Sequence, residues 1–325
     1  MSQWNTDADS VDCIRSQNIW FREMLKKINM QKHNCVLKKI ASEPPSQAIA
    51  PPQLLDYKIG FGNISHGRVS FRSKYINQAG RIYNYRPSEP VIALTATNTV
   101  PELAVSKAAQ IIIKMVKNMP VEVFRGLTTS LGAGLFSRTE GPTVYPEYEN
   151  LADRPECYRK CTGSCSITCT FDGRKWQHIA GISGSRSLCL DDIVLCNNKD
   201  PYGHKENIFS HEFAHLVMRY MPSAWRAKIT SAYNRAKRYA TWTLSTYAMA
   251  TAWEYWAVAS EAFFFDVTRT DVTGGLNMCG TNRVCPTEMA ARNYIKQHDP
   301  QLYEVLSYAY TNGRPTIPGR LKVCV

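Results

Sequence analysis

Two histidines four residues apart in an apolar stretch limit the fold of this chain more than any other feature. The stretch NIFSHEFAHLV, residues 207–217, contains His211 and His215. On a helix this spacing is about one turn, so both imidazoles leave the same face and can bind one metal ion. A helix that carries two histidines by chance is the alternative. The apolar neighbours favour a buried metal-binding helix over residues 207–220.

Glu212 directly follows the first of these histidines. On a helix its carboxylate would lie beside an open position of the metal, where it can take a proton from water. We therefore predict that it is a general base and not a ligand. A zinc site of this class needs a third protein ligand, and glutamate is an established choice. The aromatic-rich segment 246–267 offers Glu254 and Glu261, which lie near one helical face, so spacing alone does not choose between them.

The chain resembles the anthrax lethal factor-like zincins. It is more closely similar to a set of secreted proteins that share an N-I-x-x-H-E-F-x-H helix and a later Y-x6-E-Y-[WF]-A helix. Residues 207–215 and the segment from Tyr247 through Ala257 match these patterns in order and spacing. The similarity extends over residues 100–310. It implies a zinc-dependent endopeptidase with one zinc ion per chain and a protein or peptide substrate.

Carried over residue by residue, the resemblance makes Glu254 the third zinc ligand. It also puts the phenol of Tyr247 where it can donate a hydrogen bond to the oxyanion of a tetrahedral intermediate. One position departs from the pattern, because Val258 stands where the relatives have a glutamate that orients a zinc histidine. Losing such an acid typically costs about 10–100-fold in metal affinity or activity. The candidates to replace it are Asp191, Asp192 and Glu261.

The charge and hydropathy of the sequence indicate which classes of protein it can belong to. Hydrophobic residues make up 44% of the 325 residues, an ordinary share for a packed core. No run of about 18 or more apolar residues occurs, so no membrane-spanning helix is predicted. Lys and Arg outnumber Asp and Glu by 39 to 27, a net charge of +12. This excess is dispersed along the chain, which favours a solvated basic surface over a nucleic-acid site.

Eleven cysteines are many for a reducing compartment and predict disulfide bonds in a secreted, extracellular protein. The polar first residues contain no signal peptide, so we expect either an export signal removed earlier or an unconventional route. The odd count leaves at least one thiol unpaired within the chain, and spacing does not determine the connectivity. The local groups are Cys13 and Cys35; Cys157, Cys161, Cys165 and Cys169; Cys189 and Cys196; and Cys279, Cys285 and Cys324. The second group could bind another zinc ion, but structural zinc modules use other spacings, so disulfides are predicted there.

The predicted fold is α+β, with a zincin-like, disulfide-stapled catalytic domain over residues 54–325. Residues 1–40 are predicted to form a small N-terminal helical segment, because apolar residues recur there at helical spacing. Residues 41–53 are rich in proline and are predicted to form a linker.

Within the catalytic domain, turn residues alternate with short apolar stretches over 54–100 and predict hairpins or edge strands. An amphipathic helix is predicted to begin after Pro101. Residues 150–203 show little periodicity and predict a long disulfide-pinned loop region. The helix over 207–220 is predicted to face a ligand helix over 247–265.

Two other functions compete with the peptidase prediction. A catalytically weak or inactive zincin-fold protein, acting as a binding or toxin-like protein, is motivated by Val258. A basic, cysteine-stapled module that binds acidic polymers or membrane surfaces has only the net charge in its favour. A comparison of peptidase activity with and without Glu212 discriminates between the first two.

Overall fold

The structure is a computed structural model that describes residues 69–280 and 283–324. The predictions for residues 1–40 and 41–53 and for the pair Cys13 and Cys35 lie outside this part of the chain. The strands are β1 (Phe71–Ile76), β2 (Ile82–Tyr83), β3 (Ile92–Thr97), β4 (Gly132–Phe136), β5 (Gly181–Ser183) and β6 (Arg186–Leu190). The α-helices are α1 (Glu102–Val116), α2 (Val121–Leu127), α3 (Asp191–Leu195), α4 (Ile208–Tyr220), α5 (Ser223–Arg238), α6 (Ala252–Phe264), α7 (Glu288–His298) and α8 (Pro300–Thr311).

The strands form one mixed sheet in the order β2-β1-β3-β4-β6-β5. Strands β3, β4 and β6 are parallel to one another, and β1, β2 and β5 each pair antiparallel with a neighbour. Parallel neighbours need a crossover, and α1 and α2 supply it between β3 and β4. The strands predicted between residues 54 and 100 are confirmed for β1 to β3. The fold class is therefore α+β, as predicted.

Helix α1 confirms the amphipathic helix predicted after Pro101. It covers Glu102–Val116, and its buried stripe includes Ala108, Ile112 and Met115. Helix α4 packs against β5 and β6, and α6 packs against α4 on the side away from the sheet. Helices α7 and α8 cover α6 in turn. Within residues 69–280 and 283–324, every helix is too short or too polar to cross a lipid bilayer.

The predicted ligand helix over 247–265 is divided in two. A single 3₁₀ turn covers Tyr247–Met249, and α6 begins separately at Ala252. Thr251 causes the division, because its backbone is extended and its side-chain oxygen caps the new helix. The prediction that this segment faces the 207–220 helix is confirmed by the packing of α6 on α4.

The prediction of a long loop region over 150–203 is wrong for its last part. Short 3₁₀ turns run from Pro142 to His178, but β5, β6 and α3 follow within residues 181–195. Strand β5 has three residues and β6 has five, so neither shows a readable period of two. Only their pairing with each other and with β4 makes them strands.

Within the described part of the chain, four disulfides join Cys157 with Cys165, Cys161 with Cys169, Cys196 with Cys324, and Cys279 with Cys285. The four-cysteine group thus forms two disulfides, as predicted. Residues Cys189 and Cys196 are near in sequence, yet the second pairs across 128 residues and ties the C-terminal segment to the end of α3. Among the described residues, the unpaired cysteine is Cys189, which is buried.

Candidate metal centre

Helix α4 is held firmly at its start and along most of its surface. Oδ1 of Asn207 accepts a hydrogen bond from the backbone N–H of Ser210 at 3.2 Å and so caps the helix. Ten of its residues are buried, because it lies between the sheet and α6. A buried helix with a capped first turn has little freedom to move. It carries His211, Glu212 and His215.

Helix α6 brings a carboxylate to α4 from a second direction. Oγ1 of Thr251 accepts a hydrogen bond from the backbone N–H of Glu254 at 3.2 Å, which fixes Glu254 in the first turn. The indole N–H of Trp256 donates to the carbonyl oxygen of Ala214 at 2.8 Å. This bond ties α6 to the middle of α4, so the two helices have one defined relative position.

The side chains of His211, His215 and Glu254 converge at one point. Oε2 of Glu254 lies 3.1 Å from Nε2 of His211 and 3.4 Å from Nε2 of His215. One potential ligand atom from each residue lies within 4.8 Å of the other two. Two imidazole nitrogens and one carboxylate oxygen are a donor set that zinc binds in metallopeptidases. The residues present therefore fit a zinc ion.

Charge at this point also suits a cation. Burial lowers the pKa of His211, but Glu261 and Glu254 outweigh it and raise this pKa well above its usual value. Burial raises the pKa of Glu254, but His215 and His211 more than offset it and hold this pKa well below its usual value. The carboxylate therefore stays ionised between two imidazoles. Positive charge is stabilised there, and a divalent ion supplies it without protons.

Glu261 binds the other face of His211. Its Oε2 lies 3.0 Å from Nδ1 of His211, and its side chain is completely buried. Burial raises the pKa of Glu261, and the contact with His211 opposes this shift. A carboxylate that accepts from Nδ1 leaves Nε2 available for a metal. The two glutamates that spacing could not separate thus occupy different faces of one imidazole.

The family pattern has an acid where this chain has Val258. Here Glu261, three residues later on the same helix, contacts His211 instead. Val258 is fully buried in the core, and Glu261 is one turn further along α6. Of the two other candidates, Asp192 accepts a hydrogen bond from Nε of Arg138 at 2.9 Å. Asp191 is at the start of α3, where burial raises its pKa to about 7.

A second group of potential ligands consists of Glu206, His211 and Glu261. This group already has a positive charge beside it, because Nη1 of Arg269 donates a hydrogen bond to Glu206 at 2.7 Å. His211 can also offer only Nδ1 to this group, and that nitrogen is engaged by Glu261. The group is a buried ion-pair network behind His211 and not a competing metal site.

Glu212 and Tyr247 both line the cleft above the point of convergence. Burial raises the pKa of Glu212, and the nearby His215 and His211 oppose this shift. Burial and the charge of Glu254 raise the pKa of Tyr247 well above its usual value, so its phenol keeps its proton and can donate it in a hydrogen bond. The ring centroids of Tyr247 and His211 are 6.3 Å apart. All five site residues predicted from the sequence thus meet in one place.

Gly181 in β5 lets the strand approach Glu212 closely. A Cβ atom built on Gly181 would lie 2.6 Å from Oε1 of Glu212 and 2.6 Å from Cγ2 of Ile208. A side chain at this position must push the carboxylate of Glu212 or the start of α4 aside.

We expect Gly181→Ala to lower kcat/KM for peptide hydrolysis by about 100-fold, because a displacement of about 1 Å at a catalytic group costs that much. Zinc content should be unchanged, since no ligand is touched. The matched control is Ser185→Ala in the turn after β5. Full activity in Gly181→Ala would contradict the close contact with Glu212.

The cleft is built from parts that the sequence analysis did not identify. Strand β5 forms one side, the segment after the paired disulfides adds Arg174 and Trp176, and the two helices add Arg219 and Trp253. Arg219 lies eight residues after His211, two helical turns on, so helical spacing could have pointed to it. The other three have no comparable signal, because tertiary packing alone brings them to the site.

No protein-family model matches the sequence, and no curated protein matches it. Among solved structures, the chain is similar to the Pro-Pro endopeptidase PPEP-2 from Paenibacillus alvei, with 18% sequence identity and a TM-score of 0.38. The match covers 64% of this chain and 91% of that chain. This neighbour is an endopeptidase. A similarity this low does not support the resemblance to the lethal factor-like zincins. The proposed function therefore depends on the residues of the site.

Proposed function

We propose that this protein is a zinc-dependent metalloendopeptidase. The observation that carries the proposal is the convergence of His211, His215 and Glu254 within 4.8 Å, in a cleft that also contains Glu212 and Tyr247. The H-E-x-x-H spacing over residues 211–215, followed by a glutamate on a second helix, agrees with this proposal. Four disulfides support an extracellular location.

His211, His215 and Glu254 would hold the zinc ion. When bound, zinc supplies Lewis-acid chemistry, which acidifies water and polarises a carbonyl group. Glu261 positions His211 through Nδ1, so that Nε2 faces the same point as the other two ligand atoms.

Glu212 and Tyr247 carry the proton transfer and the charge stabilisation. The carboxylate of Glu212 takes a proton from the attacking water and later delivers it to the nitrogen of the leaving amine. Tyr247 donates a hydrogen bond to the oxygen that becomes negative when the peptide carbonyl is attacked. Its raised pKa suits this role, because a donor must keep its proton.

The substrate is an extended peptide that lies along β5. This strand is the last in the sheet order, and none of the described residues forms a further strand beside it. An edge strand exposes N–H and C=O groups that can pair with an added peptide strand. Gly181 and Ser183 of β5 line the cleft next to Glu212, so a peptide paired with this strand passes over the metal ligands.

A catalytically inactive zincin-fold protein was motivated by Val258. The contact between Glu261 and His211 removes that motive, because the histidine retains a carboxylate partner. The peptidase therefore remains the better supported function.

The proposal is tested by hydrolysis of an internally quenched peptide library. We expect the zinc-loaded protein to cleave members of the library, 1,10-phenanthroline to abolish the activity, and added zinc to restore it. The matched control is 1,7-phenanthroline, which does not chelate metals. Activity that resists the chelator, or no cleavage by the zinc-loaded protein, would contradict the proposal.

Glu261→Gln should weaken zinc affinity and lower kcat/KM by about 10–100-fold, because the amide is a poorer acceptor for Nδ1–H of His211. Metal titration and hydrolysis of one identified peptide measure both effects. Asp192→Asn is the matched control, since Asp192 accepts a hydrogen bond from Arg138 and forms none with His211. Equal losses in the two variants would show that the positioning role is not specific to Glu261.

A further inference from the structure

The cleft above the metal centre has an unbalanced charge. Among the described residues that line it, the acidic ones are Glu212 and Glu254, and both have roles in the proposed reaction. Two guanidinium groups, those of Arg174 and Arg219, line the same cleft. A zinc ion would offset the two carboxylates. Any positive charge that the cleft presents to a substrate then comes from the arginines.

The two arginines differ in what already binds them. Nε of Arg174 donates to Oδ2 of Asp172 at 2.9 Å, so its charge has a partner within the protein. Arg219 forms no ion pair with any carboxylate of the described residues, and it is exposed. Its guanidinium carbon lies 5.4 Å from the centroid of the Trp253 ring. A cation over an indole face is held in place without being neutralised.

Arg219 and its neighbour Trp253 lie close to the metal ligands. It follows His215 by four residues on α4, a rise of about 6 Å. Trp253 directly precedes Glu254 in sequence, and its ring centroid lies 6.3 Å from that of His215. An extended peptide advances about 3.3 Å per residue. The arginine is therefore in reach of a substrate group about two residues from the bond that is cleaved.

The end of β5 completes this part of the cleft. Ser183 lines it, and its buried Oγ has no hydrogen-bond partner among the described residues. Arg219 lines the same cleft as Ser183. A hydroxyl donor and a guanidinium together suit an anionic oxygen.

We propose that Arg219, held over Trp253 and assisted by Ser183, binds a carboxylate of the substrate about two residues from the scissile bond. The inference rests on the proposed peptidase function and adds the class of substrate. The carboxylate can come from an Asp or Glu side chain within a chain or from a free C-terminus. Arginine suits both, because its fork matches the two oxygens of a carboxylate.

The test uses matched peptides that carry Glu or Gln within three residues of the cleaved bond, each with a free or an amidated C-terminus. In one of the two comparisons, Glu against Gln or free against amidated C-terminus, we expect kcat/KM to be about 10- to 100-fold higher for the peptide with the carboxylate. A preference for Glu that survives amidation identifies the side chain as the source. A preference that disappears on amidation identifies the C-terminus.

Variants of Arg219 link this preference to the residue. Arg219→Gln should remove the preference, Arg219→Lys should keep part of it, and Arg219→Glu should reverse it toward peptides with Lys at the same position. Arg238→Gln, at the exposed end of α5, is the matched control and should keep the full preference. Circular dichroism and zinc content establish that each variant is folded. An unchanged preference in Arg219→Gln would overturn the proposal.

A binding measurement separates this proposal from the proposed reaction. Fluorescence anisotropy with labelled Glu and Gln peptides is measured on Glu212→Gln and on the double variant Glu212→Gln/Arg219→Gln. Tighter binding of the carboxylate peptide, lost in the double variant, supports the carboxylate site even if no peptide is cleaved. Equal affinity for both peptides would overturn it even if the protein proves to be a peptidase.

Discussion

Replacing Glu212 with glutamine is expected to lower kcat for peptide hydrolysis by about 10²- to 10⁴-fold, the range that a general base contributes. The amide has nearly the same shape, so the close packing against Gly181 is retained. It cannot accept a proton from water. Zinc content should stay at the wild-type level, because Glu212 is not one of the three converging ligand residues.

The matched control is Glu149→Gln, an exposed glutamate outside the cleft. We expect it to have wild-type kcat. Initial rates at saturating peptide and zinc content are measured on the same preparations. If Glu212→Gln retains wild-type kcat, Glu212 is not the base. If it loses zinc together with activity, its role is structural.

Glu254→Gln is expected to have the largest effect on the metal. The neutral amide oxygen is a weaker ligand than the carboxylate, and the residue supplies the negative charge between His211 and His215. The loss of zinc affinity should exceed the roughly 10–100-fold expected for an outer carboxylate partner. Peptide hydrolysis should fall with zinc occupancy. Competition with a fluorescent zinc chelator measures the affinity.

Glu261→Gln provides the comparison for this prediction, because both glutamates contact His211 but at different ring nitrogens. We expect zinc affinity to decrease in the order wild type, Glu261→Gln, Glu254→Gln. The reverse order of the two variants would make Glu261 the ligand and Glu254 the outer partner. Circular dichroism spectra of both variants are compared with that of the wild type to establish that each is folded.

The local geometry of the site could be predicted from the sequence, because a helix fixes the relation between His211, Glu212 and His215 by itself. The third ligand depends on how a second helix packs. Glu254 and Glu261 lie near one face of α6, and the packing of α6 on α4, which includes the bond from Trp256 to Ala214, sets which of them reaches which nitrogen. That contact joins residues 42 positions apart and leaves no periodic signal.

The short strands β5 and β6 could not be predicted for a similar reason. Their three and five residues become strands through pairing in the sheet. Glycine fits position 181 because a side chain there would collide with Glu212. The amphipathic helix α1 was predicted correctly, because fifteen residues give a clear helical stripe. The disulfide from Cys196 to Cys324 closes a loop of 128 residues, which spacing cannot reveal.

Val258 shows how a sequence pattern can mislead when it is read position by position. The family that the sequence resembles is expected to have an acid at this position, and valine there predicts weaker catalysis. In the structure an acid one turn later, Glu261, makes the expected contact with His211. Residues 258 and 261 lie on neighbouring turns of one helix, so a carboxylate from either can serve the same imidazole.

Zinc content tests the central claim most directly. The purified protein is dialysed against metal-free buffer and its zinc is measured by atomic emission, before and after incubation with added zinc. We expect about one zinc ion per chain, retained through dialysis. A protein that holds no zinc and takes up none when it is supplied would contradict the metal centre, and with it the peptidase function.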